Sequence, residues 1–137
     1  MTLPDTFRLE AWRDPVVENL GHDPRSDYAE TYWLGILGPS ALWAMRSFVR
    51  RLEALPAGVD VDTGDFAATI GLRGQDGGLV RLSGAFARLA RFDLTRVHSS
   101  PSCLTIQSRL MLPPLSRAQV DRLPVSLKAT YAAEARR

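Results

Sequence analysis

The side chains best suited to recognition chemistry lie in one stretch, Leu79 to Leu94, reading LVRLSGAFARLARFDL. At 100° per residue, Leu79, Leu82, Phe86 and Leu89 fall on one side of a helix at the spacing of a buried stripe. Arg81, Gly84, Arg88 and Arg91 fall on the other side at the same spacing. Guanidinium groups in such a row pair with anions and with the polar edges of bases. Gly84 costs about 1 kcal/mol of helix stability relative to Ala, and it removes bulk from the arginine face, so another surface can approach closely there. A short helix with an apolar back and an arginine front suits the major groove of DNA. It is equally the pattern of a solvated surface helix in an arginine-rich protein, so its neighbours have to decide.

Other chemistry finds little support. His22 and His98 are far apart, and neither has partners at metal-ligand spacing. The segment HDPRSD (22–27) brings His22, Asp23 and Asp27 together, a set that reads as a polar helix-capping loop more readily than as a metal site. Cys103 is the single cysteine, which excludes an intrachain disulfide and a clustered Cys/His metal centre, and it reads as a small half-buried hydrophobe. Nucleophile elbows, P-loops and dinucleotide fingerprints are absent, and RGQDGG (73–78) lacks the Lys-Ser/Thr of a nucleotide cradle. No enzyme, metal or cofactor is expected.

Charge placement says more than total charge. The chain has 137 residues and a formal net charge of only +2. Residues 1–45 hold three arginines against seven acids, net −4, whereas residues 73–137 hold ten arginines and one lysine against four acids, net +7. This asymmetry points to an anionic partner for the C-terminal half. Lys128 is the only lysine, a bias that GC-rich genomes produce, so the positions of the arginines weigh more than their number. With 45% hydrophobic and 23% charged residues the composition is that of one folded domain. No apolar run approaches the roughly 20 residues that span a bilayer. The N-terminus, MTLPDTFRLEAWRD, has neither the basic nor the apolar region of a secretory signal, so a cytoplasmic location is expected.

The elements that must position these residues follow in order. Residues 1–26 read as an irregular or short-helical arm, interrupted by Pro4, Pro15, Gly21 and Pro24, with a short helix near Asp14–Leu20 capped by Asp14. The next helix runs from Ser26 or Asp27 to Leu37. Its Tyr28, Tyr32 and Trp33 suit either the core or a homodimer interface, where aromatics are enriched. Pro39 to Leu55 is strongly amphipathic, with Ala41, Leu42, Met45, Phe48, Val49 and Leu52 on one face. Val59–Val61 alternates like a short strand. Asp62 or Thr63 caps a short helix ending at Gly71, a residue suited to a left-handed stop. Asp93 stands where a glycine would usually close the Leu79–Phe92 helix, and Asp tolerates that conformation. Leu94–Leu112 then changes to period two, a hairpin turning at Ser99–Ser102. Ser116 caps a C-terminal helical segment that Pro124 splits.

This order resembles the winged helix-turn-helix family across residues 39–115. FAATIGL (66–72) looks like the family's second helix with its Gly-Leu ending. AFARLARFDL (85–94) looks like the end of its recognition helix, with Asp93 in place of Gly. The resemblance implies an α+β, mostly α fold: a single domain with an N-terminal arm and aromatic helix (1–38), the winged-helix core (39–115) and a C-terminal helical segment (116–137). It implies that the 59–61 strand pairs with the hairpin, that the 79–92 helix enters the major groove N-terminus first, and that the 94–112 hairpin is the wing. Arg81 and Ser83 would then lie nearest the bases, and Arg88 and Arg91 on phosphates. Gln75 and the amides of Gly77 and Gly78 would sit at the positive helix end. Arg96, His98, Ser99, Ser100 and Ser102 would meet backbone or a minor groove. The expected function is sequence-dependent binding of double-stranded DNA, as in a transcriptional regulator. A winged helix that binds protein instead is the alternative, because fold alone does not fix function.

Overall fold

The computed structural model describes residues 2–72 and 77–135. It is an α+β fold in which helices cover one face of a four-stranded mixed sheet.

The largest departure from expectation is at the N-terminus. Residues 6–11 are not part of an arm laid on the surface. Thr6–Ala11 is a strand, β1, whose Phe7 and Leu9 are buried, 2% and 0% exposed. Asp14 then caps helix α1 (Pro15–Leu20), accepting from the N–H groups of Val16 and Val17, with Pro15 in the first turn. A π-helical turn at Ala29–Trp33 runs into α2 (Leu34–Leu37), and Gly38 separates it from α3 (Pro39–Ala54), which Pro39 begins. All six apolar positions expected on the inner face of α3 are buried.

Strand β2 (Val59–Asp62) leads directly into α4 (Thr63–Thr69), where the Asp62 carboxylate accepts from the Asp65 N–H. Gly71 has φ +81, the left-handed stop expected there. Helix α5 (Gly78–Arg91) ends at Asp93, the only non-glycine residue with positive φ (57°) among those described. The hairpin of β3 (Thr95–Ser100) and β4 (Cys103–Ser108) follows, with Ser100 opposite Cys103 and Pro101–Ser102 forming the turn. Ser116 and Gln119 form a reciprocal capping box at α6 (Arg117–Asp121), and α7 (Val125–Ala135) starts after Pro124.

The sheet order is β2-β1-β4-β3. β1 pairs antiparallel with β2 (Phe7 opposite Val61) and parallel with β4 (Leu9 opposite Ile106). The expectation that the 59–61 strand pairs with the hairpin is therefore corrected: β1 lies between them. TFRLEA alternates polar and apolar residues and so forms a strand with one covered face, whose edges pair with β2 on one side and β4 on the other.

One face of the sheet packs on the helices through a cluster of four phenylalanines. Phe7 (β1), Phe48 (α3), Phe66 (α4) and Phe86 (α5) touch in every pairing, with ring centroids 5.2 to 6.2 Å apart. Tyr32 and Trp33 are each 1% exposed. This corrects their expected place at a dimer interface, since the chain's own core consumes that surface. Tyr28 is half-buried, stacked on His22 at 3.6 Å and adjoining Tyr32 and Tyr131. No helix among the described residues is long and apolar enough to cross a membrane.

Candidate nucleic-acid interface

Helix α5 presents a mixed outer face. Leu82, Ala85, Phe86 and Leu89 are buried, but Leu79 is 48% exposed, which corrects its place in the apolar stripe. The stripe has its centre nearer Leu82, Ala85 and Leu89, so the solvent side runs along Val80, Gly84, Ala87 and Arg91, with Arg81 and Arg88 on one flank. Val80 is 75% exposed. A Cβ added at Gly84 would meet nothing within 4 Å, so no packing within the chain requires glycine there. Gly84, Ala87, Arg88 and Arg91 line a shallow notch of about 210 Å³.

The expected contact residues separate into distinct situations. Arg81 and Arg91 are exposed, the Arg91 guanidinium lying 5.7 Å from the ring centroid of Phe92. Ser83 is half-buried and engaged within the chain. Gly78 is buried, so it serves the packing of α5, while Gly77 is half-buried. Gln75 lies outside the described residues. Arg88, expected on phosphate, is exposed and also makes a contact within the fold: its Nε and Nη2 donate to the Ile36 carbonyl at 3.2 and 2.9 Å. That carbonyl belongs to the last turn of α2, where orphan oxygens and the helix dipole both favour a cation.

The hairpin residues are exposed, but they do not all face α5. Phe7, Leu9, Leu104 and Ile106 define the helix-covered side of the sheet. By strand alternation and register, Arg96, His98 and Ser100 belong to the open side with Thr105 and Gln107, while Ser99 belongs to the covered side. The sheet thus separates Arg96 and His98 from the arginines of α5; the tip residues Ser99, Ser100 and Ser102 stand at the boundary. His98 Nε2 is 3.3 Å from Gln107 Oε1, and the Ser100 hydroxyl donates to the Cys103 carbonyl at 3.3 Å. The hairpin tip shares a cleft with Thr2, Leu3 and Pro4.

Sequence reasoning missed an arrangement on the open side. The Trp12 ring has the Arg96 guanidinium 3.8 Å from its centroid and that of Arg109 at 3.6 Å. Both guanidiniums thus lie against the one indole. Arg109 is further held by the Asp14 carboxylate at 2.8 Å and by the Asp93 carbonyl at 2.6 Å. Among the described residues, stacking on Trp12 is the contact that holds Arg96. The alternation of β4 puts Arg109 outward, but nothing in the sequence joins it to residues 12 and 14.

Hydrogen bonding from Arg109, reinforced by the Val17 N–H, holds the Asp14 carboxyl below its ordinary value of 3.8. A carboxyl lowered on folding adds stability that is present above its unfolded value and is lost as the pH falls through the folded value. Arg109→Ala should return the Asp14 titration toward 3.8, followed through its carboxyl carbon by NMR. An unchanged titration would remove Arg109 as the cause.

The arginines divide by compensation. Arg8, Arg13, Arg25, Arg46, Arg51 and Arg109 each lie within ion-pairing distance of a carboxylate. Among the described residues, Arg50, Arg81, Arg88, Arg91, Arg96, Arg117 and Arg122 do not. Of the acids in residues 1–45, Glu10, Glu18 and Asp23 pair with arginines of that segment, Glu30 with Arg46 and Asp14 with Arg109. The HDPRSD loop has a comparable internal use: Asp23 accepts from the Arg25 backbone N–H and guanidinium.

The chain matches no family model, no curated protein and no solved structure.

Proposed function

We propose that the protein is a cytoplasmic DNA-binding protein of winged helix-turn-helix type, suited to regulating transcription, with α5 entering the major groove and the β3–β4 hairpin flanking it. The observation that carries this reading is the group of exposed arginines on α5, Arg81, Arg88 and Arg91, none of which has a carboxylate partner among the described residues. The succession of α3, β2, α4, α5 and hairpin supports it, with β1 as an addition to the winged-helix sheet. Arg81, in the second turn of α5, is the base-reading candidate. Arg91 meets phosphate, and the hairpin tip lies along the backbone. Arg88 steadies α2 against α5 and so positions the reading helix.

Fluorescence anisotropy with labelled short duplexes at several salt concentrations tests this. Binding should weaken with salt along a straight log–log line whose slope counts the phosphates neutralised. Absence of binding at low salt would overturn the reading.

A second reading has its own observation. Leu79 and Val80 are exposed on the same helix, beside small Gly84 and Ala87, as on a protein-binding surface. Under that reading α5 docks a protein partner in place of DNA. A homodimer would likewise have to use a surface other than Tyr32 and Trp33.

A further inference from the structure

We propose that the cavity between α2 and the α6–α7 pair binds a small amphipathic carboxylate. The cavity measures about 350 Å³, at the lower end of the range for small-molecule sites. Ile36, Phe92, Leu123 and Leu127 give it an apolar lining.

Two features distinguish it from a packing gap. The first is Gly35, in the middle of α2 and on the cavity wall. Its φ is not positive, and a Cβ built on it meets nothing within 4 Å. Neither backbone conformation nor packing calls for glycine, which weakens a helix by about 1 kcal/mol relative to Ala. What its missing side chain does is leave the wall open.

The second feature is the polar pair on α6. Gln119 spends its amide oxygen on the Ser116 N–H, so its NH2 donors are left for another acceptor. Arg122 also lines the cavity, is exposed, and has no ion pair among the described residues. An apolar volume beside a guanidinium and an amide NH2 complements one carboxylate on an apolar body, with the tail inside and the head between Gln119 and Arg122. The site adjoins α5: Phe92 directly follows that helix, and Arg88 holds the carbonyl of Ile36. This inference does not rest on DNA binding.

Octanoate is a suitable probe, titrated into the full chain and followed by amide NMR shifts and thermal unfolding. Saturable shifts should appear around Gly35, Arg122 and Leu127, and Tm should rise with ligand. Gly35→Leu should fill the cavity, abolish these shifts and leave the unliganded Tm no lower. Arg122→Gln should weaken octanoate about fivefold, the scale of a half-exposed ion pair, and leave octanol binding unchanged. Absence of saturable shifts at millimolar octanoate would overturn the proposal, as would shifts that survive Gly35→Leu. Equal sensitivity of octanol and octanoate to Arg122→Gln would overturn the carboxylate assignment. A dimer in light scattering that Gly35→Leu dissolves would give the cavity to a second copy of the chain instead.

Discussion

Phe7→Ala should destabilise the protein by about 3–5 kcal/mol, the scale for removing a buried ring, and lower the urea midpoint by about 2 M. Phe7 is 2% exposed and meets the rings of Phe48, Phe66 and Phe86 edge-on. Its loss would leave a void where one strand and three helices converge, and the surrounding elements are too interlocked to close it. Domains of this kind are stable by only about 5–15 kcal/mol, so a large part of the total is at stake. Arg8→Ala, one residue along the same strand, removes surface ion pairs with Glu10 and Asp60 and an exposed hydrogen bond to the Ala57 carbonyl, and should cost about 1 kcal/mol. Similar small losses for both variants would mean that β1 is a dispensable covering rather than an inner strand.

The second large effect concerns recognition. Arg81→Ala should weaken binding to a preferred duplex by about 1–3 kcal/mol, roughly 5- to 150-fold, and weaken binding to unrelated duplexes much less. Arg91→Ala should weaken both alike and reduce the salt slope by about 0.9, the contribution of one phosphate. Arg88→Ala provides the contrast, because its guanidinium is already committed to the Ile36 carbonyl. Its main effect should be on stability. If Arg81→Ala lowers preferred and unrelated binding equally, Arg81 does not read bases. If all three variants behave like the parent chain, DNA does not lie on α5.

The parts of the fold written in local chemistry were legible. Caps at Asp14, Asp62 and Ser116, the breaks at Pro39 and Pro124, the left-handed Gly71 and Asp93, and the hairpin turn all depend on a few adjacent residues. β1 was not read as a strand, because its signal is six residues long and sits between prolines, although its alternation was there to be seen. What no local pattern reveals is which strand pairs with which, and β1 depends on partners more than fifty residues away. The same limit applies to the candidate site. Arg81 and Arg91 were found by helical periodicity. The commitment of Arg88 to Ile36 and the stacking of Arg96 and Arg109 on Trp12 arise only from tertiary placement. The separation of Arg96 and His98 from α5 follows from which face of the sheet the helices cover, and the number of strands in that sheet depended on β1.

The position of β1 also sets an order of assembly. It leaves the ribosome before either neighbour, since its partners lie in β2 and, later still, in β4. Until then the strand presents two unsatisfied edges and the Phe7 side chain to whatever is nearby. Its parallel pairing with β4 closes the longest loop in the sheet, the kind of step that slows folding. The hairpin can form early by itself, but the sheet is complete only after β1 has been captured. For the nascent protein, the interval between those two events is the period of greatest exposure to aggregation.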